Sequence, residues 1–139
     1  MTDEEKPSER LVAQRVRNRI MEELWGLAEG DAEVSKVGPV EWFETFFDWF
    51  PYQGEPKWYP AMTTEEETAV RTVCKLMQLA IADPTIPKHP TVEQITSSGW
   101  PERIAPFAKK ALDIMLTRGR FSEDVEEEEP STPIPPPSS

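Results

Sequence analysis

The sequence predicts an all-α protein: a single compact domain of four to five helices, followed by a disordered acidic and proline-rich tail. Two observations support this prediction. Apolar residues recur at spacings of three and four in the longer apolar segments, and no segment alternates between polar and apolar residues as a half-buried strand does. The helices are expected at about 9–29, 39–50, 65–82, 92–97 and 101–118.

The helical domain is expected to span residues 8–121, preceded by a polar, frayed N-terminus at 1–7. After it, residues 122–139 contain six acids and no basic or aromatic residue. Such a segment buries too little apolar surface to offset the entropy lost on ordering, so we expect it to be disordered. Its last prolines favour a polyproline II conformation.

The first predicted helix has one continuous apolar face. Ser8 is placed to cap its N-terminus, and Gly30 is a natural stop after its C-terminus. The apolar residues that share this face are Val12, Val16, Ile20, Leu24 and Leu27. The same periodicity predicts that Arg15, Asn18, Arg19 and Glu22 face solvent on the opposite side.

The second predicted helix lies in the segment VEWFETFFDWFPY, residues 40–52. At about 100° per residue, its aromatic side chains fall on one half of the helical wheel and its polar side chains on the other. A period of two would instead place Phe46 and Phe47 on opposite faces. The segment is therefore predicted to form a short amphipathic helix, which Pro39 begins and Pro51 ends.

Two further helices are predicted from caps and composition. The segment 65–82 is apolar around most of its circumference, which is typical of a helix at the centre of a core. Thr64 and Glu67 fit a capping box before it, and Thr91 with Gln94 allows a short helix at 92–97.

The last predicted helix opens at Trp100–Pro101 and stops at Gly119. Pro106 removes one backbone hydrogen bond inside it, so we expect a kink or a late start there.

Charge and cysteine content narrow the classes of partner. The chain has 15 basic and 26 acidic side chains, a formal net charge of −11. It is expected to repel nucleic acid and anionic membranes, and to suit a basic protein partner better. One cysteine cannot form an internal disulfide, and the N-terminus lacks the features of a signal peptide. No stretch approaches the roughly 18 apolar residues of a spanning helix. We therefore expect a cytoplasmic protein.

The sequence offers little material for catalysis, and no catalytic residue or cofactor is predicted. The one histidine, His89, lies in a connecting loop, and Cys74 lies on an apolar helix face. These two cannot supply a four-ligand zinc site, and no glycine-rich phosphate loop is present. The first-turn acids Glu65, Glu66 and Glu67 are explained by the helix dipole.

Carboxylate chemistry is the one enzymatic alternative with enough residues. Glu41, Glu44 and Asp48 lie at positions i, i+3 and i+7, so they form an acidic stripe that could hold Mg²⁺ in a hydrolase. The simpler interpretation is the solvated face of an amphipathic helix, and no metal site is predicted.

Two groups of residues are candidates for binding. Nine of the 13 aromatic residues lie between Trp42 and Tyr59. They form either part of the core or an exposed aromatic rim, for which the candidate residues are Trp42, Trp49, Tyr52, Trp58 and Tyr59. Arg10 and Arg17 are candidates for an anion site or a dock for the acidic tail, although packing of their stems and helical ion pairs are the favoured explanation.

These patterns favour a non-enzymatic protein-binding module that acts through the aromatic rim, with the acidic tail as an accessory. Three alternatives remain open at this stage. One is a carrier or sensor of a small apolar ligand, which needs an internal aromatic-lined cavity of roughly 300 Å³ or more. Another is an acidic inhibitor or immunity-type protein that occupies a basic enzyme. The last is the metal-dependent hydrolase.

Overall fold

The computed structural model describes residues 7–50 and 61–130, which form six α-helices and no strand. The helices are α1 (Glu9–Leu27), α2 (Asp31–Val37), α3 (Pro39–Trp49), α4 (Thr64–Ile81), α5 (Val92–Ser98) and α6 (Trp100–Arg118). The all-α prediction is confirmed, although the described residues contain one helix more than the four to five expected. None of these helices is long and apolar enough to cross a membrane.

Helix α2 is the one that the sequence did not predict. It has seven residues, its only buried residue is Val34, and no side chain caps its N-terminus. The glycines at its two ends, Gly30 and Gly38, have φ angles of 65° and 98°, which favour glycine over other residues. Two turns with one buried side chain are too short to show a helical period in the sequence.

The predicted start of α1 is confirmed, while that of α4 is displaced by one residue. The Ser8 hydroxyl accepts a hydrogen bond from the Leu11 N–H. Before α4, the capping box is formed by Thr63 and Glu66 rather than by Thr64 and Glu67, with both reciprocal bonds at 3.1 Å.

The capping box of α5 consists of Thr91 and Gln94, as expected. The late start considered for α6 is wrong, because that helix already begins at Trp100, six residues before Pro106.

Helix α6 packs against α1, α2, α4 and α5, and α3 packs against α1, α2 and α4. The prediction that α4 is the central helix is therefore wrong, and α6 occupies that position. Helix α4 buries Val70, Val73 and Met77, but Leu79 and Ile81 near its end are 53% and 52% exposed. The apolar residues around the circumference of α4 therefore predicted more burial of this helix than the structure shows.

The chain continues after α6 along the outer side of α1. Residues 122–130, the first half of the segment predicted to be disordered, make hydrogen bonds to α1. The prediction of disorder for 131–139 lies outside the described residues, as does the loop 51–60 that contains Tyr52, Trp58 and Tyr59.

Candidate binding site

Helix α3 and the residue that ends it contribute large aromatic side chains to the core. Trp42 and Phe46 of the helix and Phe50 directly after it are at most 2% exposed, and the Trp42 and Phe43 rings meet edge to face with centroids 5.0 Å apart. The Trp42 Nε1–H has no hydrogen-bond partner among the described residues. Trp42 is thus a core residue in this structure, and it does not lie on an exposed rim.

Trp49 is the exposed member of the predicted rim, with 37% of its surface accessible. The other three members, Tyr52, Trp58 and Tyr59, lie outside the described residues. The structure therefore places one of the five candidates at the surface and one in the core.

A groove of about 310 Å³ opens on a different side of α3. It lies between the first half of α3, the end of α4 and the loop that leads to α5, and we call it the α3–α4 groove. Its lining residues are Val40, Phe43, Glu44, Ile81, Ile86, Pro87, Lys88 and Pro90. Val40 and Ile81 are 45% and 52% exposed, so two aliphatic side chains face solvent within it.

Trp49 does not belong to this groove. At about 100° per residue, Val40, Phe43 and Glu44 share one side of α3, and Trp49 lies about 180° from Val40. The groove and Trp49 are therefore separate surfaces of the same helix.

The loop wall of the groove is fixed by Asp83. Its Oδ1 accepts hydrogen bonds from the Thr85 N–H at 2.8 Å and the Thr85 hydroxyl at 2.7 Å, and its Oδ2 accepts one from Trp100 Nε1 at 2.7 Å. The hydrogen bonds from Thr85 and Trp100 lower the pKa of this carboxyl below its ordinary value. The loop also carries three prolines between Asp83 and Thr91, which restrict its backbone. This wall is thus held in place by α6 without a ligand.

The acidic stripe of α3 runs beside the groove. Glu41, Glu44 and Asp48 are all exposed, and Glu44 also lines the groove. Within residues 7–50 and 61–130, no group of three or more His, Cys, Asp or Glu side chains is arranged to hold a metal ion. The stripe therefore brings negative charge to the groove through Glu44, whereas Asp48 also lies near Glu23 of α1.

The one histidine and the one cysteine of the chain, for which no catalytic role was predicted, lie in different surroundings. His89 is exposed in the α4–α5 loop. Cys74 is buried on α4, and this burial raises the pKa of its thiol, which opposes formation of the thiolate.

The two arginines singled out in α1 have different surroundings. Arg17 is 0% exposed and forms a buried ion pair with Glu66, which also binds Arg118. Arg10 lies at the surface, where its guanidinium donates to the Glu127 carbonyl oxygen at 2.6 Å. Arg10 therefore contacts the C-terminal segment, whereas Arg17 belongs to a buried charge cluster.

Sequence reasoning missed three buried polar residues, Gln14, Asn18 and Glu66, none of which is more than 1% exposed. For Glu66 a signal was available, because Val70 and Val73 follow it at i+4 and i+7 on the buried face of α4. For Gln14 and Asn18 no signal exists within α1. A polar helix face covered by a polar segment has the same pattern as one that faces water.

No protein-family model matches the chain, and no match was found among curated proteins or solved structures. The geometry of the described residues is therefore the basis for inferring function.

Proposed function

We propose that the protein is a non-enzymatic binding module whose α3–α4 groove takes a protein segment with apolar anchor residues next to basic residues. The observation that carries this proposal is the pair of exposed aliphatic side chains, Val40 and Ile81, in a preformed groove. Apolar pockets with a few polar groups at their edges are the usual form of a binding site.

The requirement for apolar residues in the partner follows from the residues that line the groove. Val40, Phe43 and Ile81 face Ile86 and two prolines across the groove. Covering a side chain such as Ile81 contributes about 1.5–3 kcal/mol when burial is complete. An apolar side chain that fills the groove would therefore be an anchor of the complex.

The requirement for basic residues in the partner follows from the charged residues at the groove. Glu44 lines the groove, Glu41 and Asp48 lie on the same exposed face of α3, and Lys88 is the one basic residue among the described lining residues. A partner with Lys or Arg next to its apolar anchor meets complementary charge there, which favours encounter and orientation. The net charge of −11 acts in the same direction.

The open form of the groove favours a protein segment over a small apolar ligand. A carrier encloses most of its ligand's surface. Here Val40 and Ile81 are about half exposed, and Phe43 is the only aromatic side chain that the described residues contribute to the lining. The groove is thus open enough for a protein segment to bind across its surface.

The test is a selection of phage-displayed random peptides on the full chain, followed by binding measurements with the selected peptides. Ile81→Glu places a charge in the groove at an exposed position, so folding should be retained. Leu79→Glu is the matched control, because Leu79 has nearly the same exposure on the same helix and does not line the groove.

We expect the selected peptides to combine apolar residues with Lys or Arg. They should bind the wild type and Leu79→Glu within twofold of each other, and Ile81→Glu at least tenfold more weakly, about 1.4 kcal/mol. A selection without enriched peptides, or peptides that bind both variants equally, would contradict the proposal.

A further inference from the structure

Residues 119–128 run antiparallel to α1, with a bend at 123–125 where the Ser122 hydroxyl accepts hydrogen bonds from the Asp124 and Val125 N–H groups, and we call them the C-terminal strap. Its contacts with α1 join Arg17 to Gly119, Asn18 to Phe121, Arg15 to Glu123, Gln14 to Val125 and Arg10 to Glu127. From Phe121 onwards they run backwards along α1 as the strap runs forwards. In each of them an α1 side chain donates to a strap carbonyl oxygen. The outer face of α1 thus binds the backbone of the strap.

Gln14 and Asn18 bind the strap through hydrogen bonds to its backbone. They lie one helical turn apart, and both are buried beneath it. Asn18 donates to the Phe121 carbonyl oxygen at 3.0 Å and accepts from the Phe121 N–H at 3.3 Å. Gln14 donates to the Ser122 and Val125 carbonyl oxygens, both at 3.0 Å, and accepts from the Glu127 N–H at 2.7 Å. Such bonds do not depend on the identity of the strap's side chains.

One strap side chain is buried, that of Phe121, which is 1% exposed. It packs with Ala13 and Ala61. Around the ring are the guanidinium carbons of three arginines, at 5.1, 5.2 and 5.6 Å from its centroid for Arg10, Arg17 and Arg118. The pocket therefore selects an aromatic ring by both apolar contact and cation–π attraction.

The residues after Phe121 are mostly acidic, and one of them forms an ion pair with α1. Glu123 pairs with Arg19 of α1 and with Arg120 of the strap itself, and Ser8, the N-cap of α1, donates a hydrogen bond to Glu126. Val125, the other apolar residue of the strap, is 58% exposed. The strap thus combines one aromatic anchor, backbone hydrogen bonds and exposed acids, with little further apolar burial.

We propose that α1 carries a peptide-binding site, formed by Arg10, Gln14, Asn18 and the Phe121 pocket, whose ligand is a non-helical segment with an aromatic residue followed by acidic residues. The strap is the intramolecular occupant of this site and competes with such a segment from another protein. A segment held by one anchor and by partly exposed hydrogen bonds opens at a lower free energy than a packed core element. Because this site lies on α1, it does not depend on the groove proposed above.

The binding test uses the full chain and a fluorescently labelled peptide with the sequence of residues 120–130. In the wild type the strap competes at a high effective concentration, so the peptide should bind weakly. Phe121→Ala removes the anchor of the strap and leaves α1 unchanged. This variant should bind the peptide at least tenfold more tightly than the wild type does.

Three controls define the site. Phe107→Ala removes an exposed phenylalanine outside the strap and should bind the peptide as the wild type does. A peptide with Ala in place of its Phe should bind the Phe121→Ala protein at least tenfold more weakly. Adding Gln14→Ala to Phe121→Ala should likewise weaken peptide binding at least tenfold. Equal binding by the wild type and Phe121→Ala, or no effect of Gln14→Ala, would overturn the proposal.

Hydrogen exchange on the unaltered chain gives an answer even if these variants fold poorly. The Phe121 and Glu127 amides donate to the side chains of Asn18 and Gln14. We expect them to exchange at least 100-fold faster than the buried amides of α1 at Ile20 and Leu24. Exchange at the same rate as these core amides would show that the strap opens only when the whole domain unfolds, and would overturn the proposal.

Discussion

Arg17 and Glu66 form an ion pair in which neither side chain is more than 2% exposed, with Nη2 of the arginine 2.8 Å from Oε2 of the glutamate. Arg118 completes the cluster, since its Nη2 lies 2.8 Å from Oε1 of the same carboxylate. The spare N–H groups of Arg17 are bonded to the Met115 and Gly119 carbonyl oxygens. The cluster thus ties α1, α4 and the end of α6 together at the point where the C-terminal strap begins.

Replacing Glu66 should be strongly destabilising. Glu66→Gln keeps the shape of the side chain but leaves the Arg17 charge buried without a counter-charge, which typically costs about 3–5 kcal/mol. Glu65→Gln is the matched control, because Glu65 lies in the same first turn of α4 and is exposed. We expect this control to change the free energy of unfolding by at most about 0.5 kcal/mol. Urea unfolding of both variants is the measurement, and equal losses would contradict the role assigned to Glu66.

The same cluster should make the protein sensitive to acid. Burial alone would raise the pKa of Glu66, but hydrogen bonds from Arg118 and Arg17 outweigh burial and hold this pKa below its ordinary value. A lowered pKa in the folded state contributes stability that is present above the unfolded pKa, about 4.3, and is lost as the pH falls through the folded value. Glu123 shifts in the same direction, because Asn18, Arg120 and Arg19 outweigh its burial.

The measurement is the midpoint of thermal unfolding between pH 7 and pH 3. The wild type should lose stability steadily below the ordinary pKa of glutamate, whereas Glu66→Gln should show a flatter profile because the contribution of Glu66 is absent. Parallel profiles for the two proteins would show that other carboxylates cause the acid sensitivity.

Glu23 should have the opposite effect on stability. It is half-buried, and its burial raises its pKa, although the Thr45 hydroxyl donates a hydrogen bond to it at 2.8 Å. A raised pKa in the folded state favours folding below the unfolded pKa, and this contribution is lost as the pH rises through the folded value. Glu23→Gln is uncharged at every pH, so it should unfold a few degrees higher than the wild type at pH 7. The difference should shrink as the pH is lowered and Glu23 becomes protonated.

Glu22→Gln is the control for Glu23→Gln, because the adjacent Glu22 is exposed and pairs with Arg19 and Arg120. It should give no gain at pH 7. A gain of the same size in both variants would mean that a general reduction of negative charge, and not the burial of Glu23, is responsible.

Five of the six helices in the described residues could be predicted from the sequence because their signals are local. Ser8, Pro39 and Gly119 mark boundaries through the backbone of their own neighbourhood, and apolar periods reveal the buried faces. Residues that become buried by distant segments could not be predicted in this way. Asn18 resembles a solvent-facing residue until the strap, about 100 residues further along the chain, covers it.

The candidate binding site could likewise be predicted from the sequence only in part. The amphipathic pattern of α3 predicted that one face is apolar and the other acidic, and both faces are present. The α3–α4 groove, however, requires Ile81 and Ile86 to meet Val40 across the fold, which depends on how α4 and its following loop pack against α3. The pattern of α3 alone also could not show that Trp42 lies in the core while Trp49 remains exposed.

Replacing Pro106 in α6 should increase the stability of the protein. It is exposed and lies inside the helix, where it provides no N–H for the carbonyl oxygen of Glu102. Pro106→Ala restores this donor and relieves the clash with the preceding turn. A proline in a helix interior costs about 3 kcal/mol relative to alanine, and the greater freedom of the unfolded chain offsets up to about 1 kcal/mol of that. We therefore expect the free energy of unfolding to rise by about 2 kcal/mol, measured by urea unfolding.

Pro87→Ala is the matched control, because Pro87 lies in the α4–α5 loop, outside any helix. There a proline mainly restricts the unfolded chain, so its removal should lower stability by about 0.4–1 kcal/mol. Opposite signs for the two variants would show that helix context decides the effect of proline. A loss of stability in Pro106→Ala would instead mean that the first turns of α6 need the proline's geometry to bring Trp100 to Asp83, which anchors the wall of the groove.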